Sequence, residues 1–198
     1  GLAECAHNLA HLLLGRGAQL GDNLLDQGLE LLARNLRGQQ ALQNLDLLGQ
    51  VVSDTIGLSQ FSAVGGQVDF VRGATMSKGG RSIIAMPSTA RKGSVSRIVP
   101  LIAEGSAVTT PRNDVNYVVT EYGIAQLKGK TLKERAKALI KISHPKFRPH
   151  LIVEYRKRFN EEPFTKEEFK EFTSIVKEKI KDKNESVIEK IKVKVSKL

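Results

Sequence analysis

A pair of adjacent glycines, Gly65 and Gly66, is the first feature of this sequence whose residue types could serve chemistry. Glycine adopts positive φ at no steric cost, and its bare backbone lets a ligand approach the N–H group closely. The carbonyl oxygen of a bound ligand could accept hydrogen bonds from such N–H groups. The alternative is a simple tight turn between two structural elements, which favours the same residues.

A basic segment follows, running from residue 86 to residue 100. Ser88 and Thr89 offer hydroxyl donors, Arg91 and Lys92 offer positive charge, and Gly93 permits a close turn. This combination suits a phosphate or a pyrophosphate, which accepts charge-assisted hydrogen bonds. The alternative is an exposed basic loop without a ligand.

An acidic residue, Glu121, comes directly after the β-branched run 117–120 and before an aromatic residue and a glycine. Ligands of open α/β sheets meet the carboxyl ends of the strands, and Glu121 is placed at such an end. The alternative for this residue is an exposed strand-end acid, or an ion-pair partner for a nearby arginine.

The elements that must position these residues have an α/β pattern. Short apolar runs separated by glycines predict strands at 47–52, 82–86, 107–110 and 116–120. Leucine spacing predicts a helix over 22–37, and Thr131 with Glu134 forms a capping box that opens another, with Leu132, Ala136, Leu139 and Ile140 facing inward. A further helix is expected after Pro149, and Thr165 with Glu168 predicts one over 165–183 with an apolar stripe.

Composition limits the class of protein. The 198 residues carry a formal charge of +10, but residues 131–160 alone contribute +7, from 9 basic and 2 acidic side chains. Few aromatic residues are present to stack on bases, so we expect no nucleic acid as a partner. Cys5 is the single cysteine, which excludes an intramolecular disulfide and fits a reducing cytoplasm. No Cys/His cluster predicts a metal site, and no apolar run is long enough to predict a membrane span.

Taken together, these segments resemble one known family. The three segments, with Gly49-Gln50-Val51 before them and Ser143-His144-Pro145 and Phe147-Arg148 after them, are similar in order and spacing to the C-terminal domain of acetyl-CoA hydrolases and 4-hydroxybutyrate CoA-transferases. The similarity runs from about Asp46 to about Phe159. It implies two similar α/β domains, each with a NagB/RpiA-like sheet covered by helices, and an active site between them. It also implies a reaction in which a family glutamate attacks an acyl-CoA and a second carboxylate resolves the resulting glutamyl-CoA thioester.

The resemblance also implies roles for individual residues. Gly66 corresponds to the glycine whose N–H group helps form the oxyanion site, and Gly65 and Asp69 shape the same loop. Arg91 or Lys92 corresponds to a cation that contacts coenzyme A. Glu121 corresponds to the second-domain acid that lines the substrate pocket. We therefore expect Gly66, Arg91, Lys92 and Glu121 to converge on one surface, with coenzyme A as a substrate and no metal.

Two departures from the family pattern affect the functional interpretation. The nucleophilic glutamate of the family lies well ahead of the glycine pair, before the start of this chain, and residues 1–45 do not resemble the expected sequence. We therefore divide the chain into a segment 1–45 outside the pattern, a CoA-transferase C-terminal domain at 46–160 and a charged helical extension at 161–198.

The expected function is that of a CoA-transferase fragment that lacks the nucleophile. An acetyl-CoA hydrolase and an inactive CoA-binding domain are the alternatives. The expected partners are an acyl-CoA, a small carboxylate, and either a second copy of the chain or a separate N-terminal CoA-transferase domain. The acyl group is left open among acetate, butyrate, 4-hydroxybutyrate and succinate.

Overall fold

The computed structural model describes residues 44–78 and 80–168. The chain divides into two compact units, residues 1–161 and residues 162–198. The predicted helix over 22–37 lies outside the described residues, as does most of the one predicted over 165–183. The start of that last helix is described, and its capping box is confirmed: the Glu168 carboxylate accepts from the Thr165 N–H at 2.9 Å, and the Glu168 N–H donates to the Thr165 hydroxyl at 3.1 Å.

The first unit mixes short strands with three α-helices in its described part. The strands are β1 (Asn44–Asp46), β2 (Val51–Val52), β3 (Thr55–Ile56), β4 (Ser59–Gln60), β5 (Ile83–Ala85), β6 (Thr89–Ala90), β7 (Val95–Ser96), β8 (Ile98–Val99), β9 (Tyr117–Thr120) and β10 (Gly123–Gln126). The helices are α1 (Gln67–Met76), α2 (Leu132–Ile142) and α3 (Arg148–Phe159). This composition confirms the predicted mixed α/β class. The NagB/RpiA-like sheet and the two-domain arrangement remain predictions.

Two small mixed sheets form the framework. In one sheet β1 lies between β2, to which it is antiparallel, and β8, to which it is parallel. In the other, β9 lies between antiparallel β10 and parallel β5, with Ala85 opposite Val119. The remaining strands pair as two hairpins, β3 with β4 and β6 with β7. The parallel β5–β9 pair is important for the site, because the chain segments that follow both strands leave the sheet at the same edge.

The strand predicted over 47–52 is wrong as a single element. The chain turns back after β1, and Gly49 takes a φ of +87° at this turn. The buried Asp46 carboxylate fixes the turn by accepting from the N–H groups of Leu48 and Gln50 at 2.9 and 2.8 Å. A local side-chain acceptor of this kind competes with a continuous ladder, which explains the break.

The other strand and helix predictions are confirmed in part. The strands predicted at 82–86 and 116–120 are confirmed as β5 and β9. The strand predicted at 107–110 is wrong, because only an isolated bridge between Thr110 and Val51 forms there. The capping box of α2 is confirmed in both directions. Its inward face is confirmed for Ala136, Leu139 and Ile140, whereas Leu132, in the first turn of the helix, is 40% exposed.

Arg135 on α2 ties three separate segments together. Its guanidinium donates to the backbone carbonyls of Leu48, Leu127 and Arg112, at 2.7, 2.8 and 2.7 Å. The side chain is buried, and this burial lowers the pKa of Arg135. The space around it is tight, since a Cβ added to Gly49 would lie 2.4 Å from the Arg135 Nη2.

A second polar cluster closes the end of α3 against α2. Glu161 accepts from the Tyr155 hydroxyl at 2.6 Å and pairs with Lys133 at 2.6 Å. These hydrogen bonds, Lys133 first, lower the pKa of Glu161 from its ordinary 4.5. Burial and the Glu161 hydrogen bond raise the pKa of Tyr155.

We expect the Glu161 cluster to make the free energy of unfolding depend on pH in the acidic range. Because the pKa of folded Glu161 lies below 4.5, its contribution is complete above 4.5 and is lost as the pH falls through the folded value. Glu161→Gln should therefore lower the free energy of unfolding at pH 7, and this loss should shrink progressively as the pH is lowered below 4.5, as measured by urea unfolding. The exposed Glu104→Gln is the matched control, and an equal effect of both variants would contradict the prediction.

None of the helices described here is long and apolar enough to span a membrane. Within residues 44–78 and 80–168, no group of three or more His, Cys, Asp or Glu side chains could hold a metal ion.

Candidate active site

Glu121 lies at the carboxyl end of β9, in the two-residue turn that leads to β10. Thr120 ends the strand, and Gly123 at the start of β10 has a φ of +143°. Both oxygens of the Glu121 carboxylate are held by Ser88: Oε2 accepts from the backbone N–H at 2.8 Å and Oε1 from the hydroxyl at 2.6 Å. The sheet explains the encounter, because the Met86 N–H donates to the Val119 carbonyl at 3.0 Å and brings the segment after β5 beside the end of β9.

Ser88 differs from the prediction made for it. The sequence predicts that its hydroxyl is one of the donors of the basic segment to a bound anion. The side chain is instead completely buried, and its hydroxyl and N–H both donate to Glu121. The part of the segment that remains available to an external anion is therefore its exposed tip.

A buried arginine, Arg97, supplies positive charge near this carboxylate. Its side chain is 4% exposed, its N–H donates to the Ser88 carbonyl at 2.9 Å, and its Nε donates to the Thr89 carbonyl at 3.3 Å. Burial lowers the pKa of Arg97, and the negative charge of Glu121 opposes that shift. Arg97 lies within the basic segment 86–100, but the sequence predicted no role for it.

The turn that carries Glu121 is supported from behind by the end of α2. The Thr120 hydroxyl donates to the Ile142 carbonyl at 2.6 Å and accepts from the Tyr122 N–H at 3.1 Å. The Tyr122 ring makes an edge contact with His144 at 5.5 Å between centroids, and the Arg148 guanidinium lies over it at 5.3 Å. These contacts give a physical role to the 143–148 motif, which backs the site residue from a distant part of the chain.

Arg148 is itself fixed by the backbone. It donates to the carbonyls of Ser143 and Lys141 at 2.8 and 2.9 Å. Burial lowers the pKa of Arg148 to about 10, while Tyr122 opposes the shift. The guanidinium thus remains charged at neutral pH and serves as a rigid support for the Tyr122 ring.

Arg91 and Lys92 lie at the tip of the β6–β7 hairpin, which begins one residue after Ser88. Arg91, Lys92 and Gly93 take φ values of +48°, +56° and +86° in succession, so the tip is a run of left-handed residues. Both cations are exposed. The Ser94 hydroxyl holds the tip by donating to the Arg91 carbonyl at 2.8 Å. The predicted basic loop is therefore a defined hairpin tip rooted beside Glu121.

The glycine pair lies at the start of α1. Gly65 has a φ of +62°, as expected for a tight turn, whereas Gly66 has an ordinary φ of −93° and precedes the first helical residue. Asp69 is exposed in the first turn of this helix. The start of the helix is anchored by Gln67, whose Nε2 donates to the Thr110 hydroxyl at 3.0 Å.

The structure thus brings together Glu121, Ser88, Arg97 and the root of the hairpin that carries Arg91 and Lys92. The contact of Ser88 with Glu121, the part played by Arg97 and the support of Tyr122 were missed. Only the parallel pairing of β5 with β9, which places residue 88 beside residue 121, could have indicated the first of them. The approach of Gly65 and Gly66 to this group remains a prediction.

With this geometry in place, comparison with known proteins identifies the class of molecule. Residues 33–155 match the family model described as the acetyl-CoA hydrolase/transferase C-terminal domain. The chain belongs to this family, which confirms the resemblance drawn from the sequence. The match begins ahead of the boundary that we placed at residue 46.

Particular relatives are mainly CoA-transferases. The chain is 68% identical over 115 residues to the 4-hydroxybutyrate coenzyme A transferase of Clostridium kluyveri, covering 58% of this chain and 27% of that protein. It is 50% identical over 126 residues to the succinyl-CoA:cyclohexane-1-carboxylate CoA transferase of Geobacter metallireducens, covering 64% and 29%. An acetyl-CoA hydrolase of Candida albicans is 36% identical over 113 residues, covering 56% and 21%.

A solved structure supports the same fold. The crystal structure of RipA from Yersinia pestis matches with a TM-score of 0.54 at 51% identity, covering 61% of this chain and 27% of that one. The chain thus spans between 21% and 29% of the length of these relatives.

Proposed function

We propose that this chain acts as the C-terminal domain of a CoA-transferase that moves CoA between an acyl-CoA and a small carboxylate. The observation that carries the proposal is the Glu121 carboxylate, held through both oxygens by Ser88 at a strand end, beside the root of an exposed basic hairpin tip. Such an arrangement offers a fixed acid for the acyl pocket and cations for the phosphates of coenzyme A.

The proposed roles follow from the chemistry of each group. Arg91 and Lys92 bind the phosphates of coenzyme A at the hairpin tip. The N–H group of Gly66 donates to the thioester carbonyl oxygen as negative charge develops on it, with Gly65 and Asp69 shaping that loop. Glu121 lines the pocket for the acyl group and the acceptor carboxylate. The nucleophilic glutamate comes from an N-terminal CoA-transferase domain.

An acetyl-CoA hydrolase is the second candidate, because a relative with that name is 36% identical. The two reactions differ in the group that resolves the thioester, which is a carboxylate in one case and water in the other. The transferase is favoured by the greater identity to proteins named as transferases, 68% in the first case.

A chimaera distinguishes these functions. Residues 44–161 would replace the matching region of the Clostridium kluyveri 4-hydroxybutyrate CoA-transferase, and release of CoA from acyl-CoA would be followed with and without acetate, butyrate, 4-hydroxybutyrate or succinate. We expect formation of a new acyl-CoA that requires the acceptor. Release of free CoA at the same rate without an acceptor would indicate the hydrolase, and no turnover would contradict both.

We expect coenzyme A to bind this chain through the hairpin tip. An Arg91→Ala/Lys92→Ala double variant should weaken binding by about tenfold or more, since hydrogen bonds to charged groups contribute about 1.5–3 kcal/mol and exposure reduces this value. The wild-type affinity should fall with rising salt, because exposed charges are screened. Isothermal titration with coenzyme A measures both effects.

The matched control for the hairpin variant is Lys128→Ala/Lys130→Ala, which removes two exposed lysines after β10. It lowers the net charge by the same amount. If both double variants weakened binding equally, the effect would reflect overall charge, and the assignment of the hairpin tip would be wrong.

A further inference from the structure

Ser88 is the residue through which the fold controls the orientation of Glu121. Its Oγ donates to Oε1 at 2.6 Å and its N–H donates to Oε2 at 2.8 Å, so the two carboxylate oxygens are held by one residue. The terminal torsion of a glutamate side chain is otherwise broad and poorly fixed. Two donors on the two oxygens restrict it to a single orientation.

We propose that Ser88 is a positioning residue that fixes the Glu121 carboxylate for acyl-CoA chemistry, an inference that rests on the proposed function of Glu121. Ser88 acts through Glu121 and not on the substrate, because its side chain is 0% exposed. A misplacement of about 1 Å in a reacting group costs on the order of a hundredfold in rate, so a second donor on a catalytic acid has a measurable kinetic value.

Of the two Ser88 groups that donate to Glu121, only the hydroxyl can be removed by a substitution that leaves the backbone unchanged. The backbone of Ser88 is held by its carbonyl, which accepts from the Arg97 N–H at 2.9 Å, and by the hydrogen bond two residues earlier from the Met86 N–H to the Val119 carbonyl, at 3.0 Å. Ser88→Ala would keep these backbone contacts and remove only the 2.6 Å hydroxyl bond to Oε1. The Glu121 carboxylate would then keep the Ser88 N–H as a donor to Oε2 but lose the hydroxyl donor to Oε1, and it could rotate about its terminal torsion.

The first test uses the 198-residue chain and nuclear magnetic resonance. The wild type should show a Ser88 hydroxyl proton protected from exchange, which loses that protection in Glu121→Ala, and a rigid Glu121 γ-methylene. Ser88→Ala should make that methylene mobile on the picosecond to nanosecond timescale, and Ser88→Thr, which keeps the hydroxyl, should restore its rigidity. Ser62→Ala, at an exposed serine, is the control. A Glu121 side chain that is equally rigid in Ser88→Ala would overturn the proposal.

The second test is a double-mutant cycle in the chimaera defined above. Ser88→Ala should lower kcat by roughly ten- to a hundredfold while the KM for acyl-CoA stays within about twofold. In a Glu121→Ala background the same change should have no further effect, because Ser88 acts only through that carboxylate. Equal losses of kcat in both backgrounds would mean that Ser88 has only a structural role, which would contradict the proposal. A chimaera that is inactive with its wild-type residues would contradict the proposed function, while the resonance experiment would still decide whether Ser88 fixes the carboxylate.

Discussion

Replacing Arg135 with methionine should lower the free energy of unfolding by about 3 kcal/mol or more, because it removes three hydrogen bonds from a charged donor to buried or half-buried carbonyls, although the Leu127 carbonyl still accepts from the Lys130 N–H. Those carbonyls belong to Leu48, Leu127 and Arg112, which lie in three different loops. Methionine keeps most of the aliphatic volume, so the loss isolates the hydrogen bonds. Urea unfolding followed by circular dichroism measures the change.

The control for this variant is Arg112→Met, at an exposed arginine in the same neighbourhood. Its side chain is replaced in the same way, while its backbone carbonyl still accepts from Arg135. We expect a change within about 0.5 kcal/mol, as for ordinary surface substitutions. A similar loss in both variants would show that Arg135 has no special role in joining the loops.

The isolated chain should turn over no acyl-CoA, although we expect it to bind coenzyme A. In the reaction that the family resemblance implies, a glutamate forms a thioester with CoA, and that glutamate is expected ahead of the matched region 33–155. Without the nucleophile the two-step path is closed, and an oxyanion donor with two cations supplies only part of the barrier reduction of at least about 8 kcal/mol that enzymes achieve. The assay mixes purified chain, acetyl-CoA and a carboxylate acceptor and follows the new acyl-CoA.

Covalent trapping makes this second prediction sharper. The same mixture would be treated with borohydride, which reduces a glutamyl thioester, and then digested for mass spectrometry. We expect no modified glutamate. An adduct on Glu30, Glu121 or another acid would prove that the chain carries its own nucleophile, and an adduct on Glu121 itself would also overturn its assignment to the pocket wall.

Local signals were the part of the fold that the sequence could predict. The capping box of Thr131 and Glu134 is complete within one helical turn, so α2 was placed correctly. The run 117–120 was also predicted correctly as a strand, because β-branched residues favour a strand whatever their distant partners are. The run 47–52 was misread because the same apolar residues suit a strand or a buried turn, and the Asp46 acceptor decided between them.

The candidate site was predictable only in its conspicuous residues. Glu121 and the Arg91–Lys92 pair were found because a strand-end acid and adjacent cations are visible in the sequence. The Ser88 contact was not found, because it depends on pairing between strands more than thirty residues apart in the chain. The Arg148 guanidinium over Tyr122 depends on the start of α3 lying beside the turn between β9 and β10, which no local pattern encodes.

The left-handed run at the tip of the β6–β7 hairpin has a consequence for the thermodynamics of ligand recognition. Two non-glycine residues, Arg91 and Lys92, hold positive φ there, which costs on the order of 1–2 kcal/mol for each residue. In the proposed complex with coenzyme A, this conformational penalty falls on the folding equilibrium before the ligand arrives, so binding would require little ordering of the backbone. A looser tip would give a more stable protein and a larger entropy loss on binding. The hairpin therefore exchanges some stability of the free protein for a loop that is already in its final shape.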